Sequence, residues 1–197
     1  MRMDRVMSFD RPFSLSIVCN VLDSLGAMRI GLYCPHSAEY VRFFQHTKVV
    51  EISSIIKTNW LQYQLVFPDK GARDRYSSST PIGKYVCGTK FRDLATGKIT
   101  SIDIENPDDI DGRPLLIRDD LCDGGGTFLG LAKAIREIKP DAKISIFVDH
   151  MVNPRGIENL AKTFDHVQFT NSYKDWKKDW EGQPTPFPKN VTQIEIV

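Results

Sequence analysis

The sequence predicts an α/β fold in which a parallel sheet carries helices on both faces. Three observations predict it. Short apolar runs at 115–117, 144–148 and 167–170 have the length and composition of buried strands. Apolar-periodic segments at 127–138 and 154–163 lie between them, so strand and helix alternate as in a βαβ series. An acidic, glycine-rich stretch from Asp119 to Thr127 joins the first of these strands to the first of these helices.

The other elements follow in order. Residues 2–11 are charged and short. Pro12 opens a helix that carries Leu15, Val18, Val21, Leu22 and Leu25 and stops at Gly26, with proline at the start and glycine at the end. Residues 28–33 read as a buried strand ending at Pro35-His36-Ser37, and 38–44 as a short helix with Tyr40, Phe43 and Phe44. A strand at 64–67 runs into the turn Pro68-Asp69-Lys70-Gly71, and a helix starts within 73–79. Residues 85–87 form a short strand, 89–97 a charged loop and 99–104 another strand. Residues 176–189 are polar with three prolines and read as a surface excursion, before an alternating final strand at 191–197.

Composition narrows the function classes. Twenty-six basic residues stand against 25 acidic ones, so neither a nucleic-acid groove nor an anionic membrane surface is expected as a partner. No run of about 18 apolar residues predicts a transmembrane helix, and the N-terminus lacks the apolar core of a signal peptide. Cys19, Cys34, Cys87 and Cys122 form no Cys-x-x-Cys pair. They read as free thiols in a reducing cytoplasm.

The stretch around Asp119 carries the chemistry. Pro114-Leu115-Leu116-Ile117 leads to the adjacent acids Asp119 and Asp120, then to Asp123-Gly124-Gly125-Gly126-Thr127. Glycines let a backbone turn tightly and bring its N–H groups close to a ligand, and a helix N-terminus behind them favours an anion. Acids at a strand end can accept hydrogen bonds from sugar hydroxyls, where open α/β sheets bind ligands. Together these features describe a cup for a ribose 5-phosphate group. A Walker A loop is excluded because the Gly-Lys-Ser/Thr ending is absent, and a Gly-x-Gly-x-x-Gly fingerprint does not occur here. A plain acidic turn is the alternative for a lone Gly-Gly-Gly; two acids, a glycine loop and a helix in sequence favour the sugar-phosphate cup.

This pattern resembles the phosphoribosyl-pyrophosphate signature of type I phosphoribosyltransferases and of ribose-phosphate pyrophosphokinases. Further segments match the second family in its own order. Arg2-Met3-Asp4-Arg5 resembles its ATP-contacting Arg-x-Asp-Arg. Cys34-Pro35-His36-Ser37 with Phe43-Phe44 resembles its Asp-Leu-His … Phe-Phe metal signature. Phe67-Pro68-Asp69-Lys70-Gly71-Ala72 resembles its pyrophosphate loop, and Thr89-Lys90-Phe91-Arg92-Asp93 its flexible catalytic loop. Asp149-His150 resembles its Thr-His, and Thr170-Asn171-Ser172 its Thr-Asp/Asn-Ser/Thr strand end.

The resemblance implies a type I phosphoribosyltransferase-like sheet, with the remnant of a second similar domain at 1–60, the ribose-phosphate domain at 61–175, and the excursion and last strand at 176–197. It implies diphosphate transfer from ATP to ribose 5-phosphate, or to a larger 5-phosphorylated ribose such as ADP-ribose, with Mg²⁺ as cofactor. Lys90 and Arg92 would be catalytic. Asp119, Asp120, Asp123, Gly124, Gly125, Gly126 and Thr127 would bind the ribose phosphate, and Asp69, Lys70 and Gly71 the pyrophosphate. Arg2, Asp4, Arg5 and His36 would contact ATP, and His36, Asp69, Asp119 and Asp120 the metal.

Two departures stand out. Family members carry a long upstream segment that forms most of an N-terminal domain, whereas Met1 falls inside the ATP-contact element here. Cys34 replaces the family's metal-binding acid, and a thiol suits Mg²⁺ less well than a carboxylate. Lys70 also stands where the family has Ala. A homo-oligomer, or a complex with a separately encoded N-terminal fragment, is therefore expected. Two other readings stay open: a type I phosphoribosyltransferase acting on a nucleobase, and a non-catalytic or regulatory subunit.

Overall fold

A computed structural model describes residues 13–52, 60–76, 84–92 and 99–196. The chain divides into two compact units, Met1–Ile56 and Lys57–Val197.

In the first unit, helix α1 (Ser14–Ser24) precedes the parallel strands β1 (Arg29–Tyr33) and β2 (Lys48–Ile52), with a 3₁₀ turn at Ala38–Arg42 between them. The buried positions of α1 are Cys19 and Asp23. The Asp23 carboxylate accepts the backbone N–H groups of Gln45, His46 and Thr47, and the His46 ring lies 2.9 Å from it. Burial pushes the Asp23 carboxyl up, but these bonds outweigh it and hold the group well below the ordinary carboxylate range. The approach to β2 is thereby fixed to α1. Val18, Val21 and Leu25, which the helix periodicity groups as an apolar face, are exposed. Strand β2 was not anticipated; its residues are mostly exposed, so it carries little of the buried-strand pattern.

The second unit holds a seven-stranded sheet. Its elements are β3 (Gln64–Phe67), α2 (Lys70–Tyr76), β4 (Val86–Arg92), β5 (Ile99–Ile104), β6 (Leu115–Cys122), α3 (Gly126–Ile138), β7 (Ile144–Met151), α4 (Pro154–Ala161), β8 (His166–Thr170) and β9 (Val191–Ile194). The order is β5-β4-β3-β6-β7-β8-β9, parallel throughout except for β5 against β4. Strands β6 and β7 are apolar and buried on both faces over their first halves, as central parallel strands are. Phe128, Leu131, Ala132 and Ile135 recur at helical spacing and form the buried stripe of α3. Helix α4 starts where the Asn153 side chain accepts the Arg155 N–H, with Pro154 in its first turn. These helices share one core cluster with Ile117, Ile146, Val148, Val167 and Phe169. Each fully buried aliphatic side chain there contributes about 1.5–3 kcal/mol.

Three expectations change. The helix after β3 begins at Lys70, so Lys70 and Gly71 belong to its first turn rather than to a free turn. Strand β4 continues to Arg92, because pairing with β5, Lys90 opposite Ile102, extends it; Lys90 and Arg92 therefore lie on a strand and not in a loop. Strand β6 runs on through Asp119 and Asp120 to Cys122, carried by its ladder with β7. The excursion after β8 is anchored as well: the Trp176 indole donates to the Met151 carbonyl at 2.8 Å, and Phe187 packs edge-on to Phe169.

Chain direction across the sheet sets the site. From β6 the crossovers step through α3 to β7 and through α4 to β8, whereas β3 steps the other way through α2 to β4. Right-handed crossovers then place α2 on the face opposite α3 and α4. The reversal falls between β3 and β6, and the crevice beyond their C-terminal ends is the position where open sheets bind ligands.

Candidate active site

Asp69 stands on the β3 side of that crevice. Its Oδ1 accepts the Ala72 N–H at 2.9 Å and so caps α2, while Lys90 Nζ lies 2.6 Å from its Oδ2. Burial pushes the Asp69 carboxyl up, but the Lys90 ammonium and the Ala72 N–H outweigh it and hold the group below its ordinary value. Gly88 allows β4 to run close to the β3–α2 turn: a Cβ there would lie 3.1 Å from the Pro68 carbonyl oxygen.

Asp119 and Asp120 stand on the β6 side. Arg75 of α2 places Nη1 2.7 Å from Asp120 Oδ1 and 3.5 Å from Asp119 Oδ1. The Asp120 N–H donates to Asp119 Oδ1 at 2.9 Å. Burial, with the neighbouring Asp120 charge, pushes the Asp119 carboxyl up to about 7. Arg75 was missed in the sequence, because its signal depends on α2 starting at Lys70; only then does a residue at the end of a seven-residue helix reach across to β6.

The loop from Asp123 to Thr127 follows. Gly125 takes φ +82°, a left-handed conformation that glycine adopts without penalty. It caps α3 through its backbone carbonyl, which accepts from Phe128 and Leu129, and no side chain caps that end. The first N–H groups of a helix lack intrahelical acceptors and suit an anion. Around Gly124 and Gly126 the space is open, since a Cβ on either would meet nothing within 4 Å. Helix α4 braces the loop from behind. Asn153 Nδ2 donates to Asp123 Oδ1 at 2.8 Å, and Asn159 Nδ2 donates to the Gly124 carbonyl at 3.0 Å. Gly156 lies so close beneath that a Cβ there would sit 2.2 Å from the Asp123 carbonyl oxygen. Asn153, Gly156 and Asn159 carry no short motif that the sequence reading could have used.

A set of acids, two cations and an anion-suited loop thus meets at one switch point. No family model matches the chain. A ribose-phosphate pyrophosphokinase of Thermococcus kodakarensis is 27% identical over 205 residues, covering 100% of this chain and 66% of that protein. The enzyme of the same name from Pyrococcus furiosus is 27% identical over 209 residues, again 66% of its length. A crystal structure of phosphoribosylpyrophosphate synthetase from Mycobacterium smegmatis superposes with a TM-score of 0.73 at 22% identity, over 98% of this chain and 63% of that one. This chain is similar in sequence to ribose-phosphate pyrophosphokinases over its whole length. It spans about two thirds of the length of these relatives.

The pyrophosphokinase-like positions fall in different places. Asp69, Lys90, Asp119, Asp120 and the Asp123–Thr127 loop converge at the C-terminal ends of β3 and β6, with Lys70 and Gly71 exposed in the first turn of α2. Asp149-His150 and Thr170-Asn171-Ser172 also come together: the Thr170 and Ser172 hydroxyls donate to the Asp149 carbonyl, and His150 Nδ1 lies 2.7 Å from Ser172 Oγ. His36 belongs to the first unit, where it is exposed just after Cys34, a buried residue at φ 42°. Arg92 lies on β4 opposite Ile99. Arg2, Asp4 and Arg5 lie outside the described residues. Among the described residues no helix is long and apolar enough to cross a membrane, and no three metal-ligating side chains cluster.

Proposed function

We propose that this chain transfers a diphosphoryl group from ATP to the C1 hydroxyl of a 5-phosphorylated ribose, giving the 1-diphosphate and AMP. The observation that carries this reading is the juxtaposition, at one switch point, of the acid pair Asp119–Asp120, the glycine loop Asp123–Thr127 and the Asp69–Lys90 ion pair. Asp119 and Asp120 accept the ribose hydroxyls. The backbone N–H groups at Gly124, Gly125, Gly126 and Thr127 hold the 5-phosphate. Asp69, Lys70 and Gly71 face the transferred pyrophosphate. The C1 oxygen bonds to the β-phosphorus, the α,β-bridging P–O bond breaks, AMP leaves and the hydroxyl proton passes to water. Lys90 and Arg92 neutralise charge that grows on the β-phosphate, so most of the rate comes from positioning and electrostatics.

The donor set fits Mg²⁺. Asp69, Asp119 and Asp120 offer hard carboxylate oxygens, and Mg²⁺ is commonly held by one or two carboxylates with substrate phosphates supplying the rest. Asp119 and Asp120, with Asp69, would hold it. The ion supplies charge neutralisation for the phosphates.

The open space at Gly124 and Gly126 supports acceptors in which the 5-phosphate carries a further group, as in ADP-ribose. Product masses from ATP with ribose 5-phosphate, with ADP-ribose and with nucleobase plus phosphoribosyl pyrophosphate test the reading. Gain of one diphosphate by a ribose acceptor supports it; reaction only with the nucleobase pair replaces it with phosphoribosyl transfer.

A further inference from the structure

Directly behind the acid pair lies a buried charge cluster that the proposed chemistry does not use. The Arg118 and Asp149 side chains are 3% and 0% exposed, and Arg118 Nη2 lies 2.6 Å from Asp149 Oδ2. The Tyr76 hydroxyl donates to the same oxygen at 3.0 Å. The guanidinium is stacked over the Tyr76 ring at 4.0 Å and over the Phe147 ring at 4.5 Å. Its Nη1 donates to the Asp119 carbonyl at 2.7 Å. Asp149 is held from the other side, where its own carbonyl accepts the Thr170 and Ser172 hydroxyls.

We infer that Arg118 and Asp149, joined by Tyr76, are positioning residues for the Asp119–Asp120 pair: a polar strut that aims the two carboxylates and ties them to helix α2. The inference rests on the reading of that pair as the sugar site. Three points support it. A buried ion pair adds little net stability, and apolar residues of similar volume often serve as well, so stability alone does not account for this one. Arg118 immediately precedes the acids on β6, and its bond to the Asp119 carbonyl fixes the peptide plane from which both side chains leave the strand. Tyr76 is the last residue of α2 and neighbours Arg75, which itself pairs with Asp120. Helix α2 therefore reaches the acid pair twice, once through Arg75 and once through Tyr76, Asp149 and Arg118. Burial pushes the Tyr76 phenol far up, so it stays a donor.

The test uses the full chain and two variants. Arg118→Met/Asp149→Leu/Tyr76→Phe removes every polar end of the strut at once, so that no member of it is left charged without its counterpart. Its unfolding temperature is expected within about 5 °C of the parent. Amide exchange at 119–122 is expected to quicken about tenfold, and affinity for ribose 5-phosphate, by calorimetry, to weaken about tenfold. Tyr76→Phe keeps the ion pair and unlinks α2. It is expected to quicken exchange at 70–76 about tenfold and at 119–122 about threefold, and to weaken ribose 5-phosphate binding about threefold, and it decides the matter should the triple variant not fold. Parental exchange and parental affinity in either variant overturn the strut. A parent that binds no ribose 5-phosphate sinks the assigned function, and the exchange measurements still decide the positioning role.

Discussion

Lys90 Nζ lies 2.6 Å from the Asp69 carboxylate, so strand β4 and the cap of helix α2 are joined by one ion pair at the switch point. The Lys90 side chain is only 14% exposed, and its extended strand backbone aims it inward. In the proposed reaction, a cation held there meets charge that develops on a phosphate between β3 and β6.

Lys90→Ala is accordingly expected to lower kcat by about 10²–10³, more than it raises KM, since the contact strengthens in the transition state. Steady-state kinetics with ATP and ribose 5-phosphate check this. A pure KM effect would move Lys90 into ground-state binding.

The Asp119 carboxyl, pushed up to about 7 by burial and the Asp120 charge, predicts a pH signature. Its folded-state pKa exceeds the unfolded one, so the folded chain binds more protons between the two values. Stability from this group is full below the unfolded pKa of about 3.9 and is lost as pH rises through about 7. Unfolding temperatures of parent and Asp119→Asn between these limits should converge at the acid end. At the alkaline end the variant should be the more stable. Parallel curves would mean that Asp119 titrates as an ordinary carboxyl.

Gly156 is where α4 touches the glycine loop at Asp123. Gly156→Ala places a methyl 2.2 Å from the Asp123 carbonyl oxygen, so the loop must shift. The expected cost is about 1–3 kcal/mol of stability, with a raised KM for ribose 5-phosphate and an unchanged KM for ATP. Equal effects on both substrates would place Gly156 in general stability alone.

The layout of the candidate site was legible where it lay in one stretch. Asp119 through Thr127 announced strand, acids, loop and helix, and all four are present. What could not be read was contact between distant segments. Arg75, Asn153, Gly156 and Asn159 are ordinary residues until the fold sets α2 beside β6 and α4 under the loop. Lys90 read as loop because its neighbours are charged, yet pairing with β5 makes it strand. Likewise the period of α1 marks a helix but not which side is covered, and Cys19 and Asp23 turn inward.

That outward face of α1 presents Ile17, Val21 and Leu25, with exposed Met28 just beyond the helix. An apolar face of this kind favours association, so light scattering on the purified chain is expected to give a mass above one protomer, from a second copy or another polypeptide. A monomer without partners at micromolar concentration would contradict this.

Phosphorus NMR of ATP incubated with ribose 5-phosphate and this chain tests the central claim most directly. Diphosphoryl transfer predicts that AMP and a C1-linked diphosphate appear together in equal amounts, and that Lys90→Ala slows both alike. Release of ADP or inorganic phosphate without a sugar diphosphate, or no turnover of ATP at all, would contradict it.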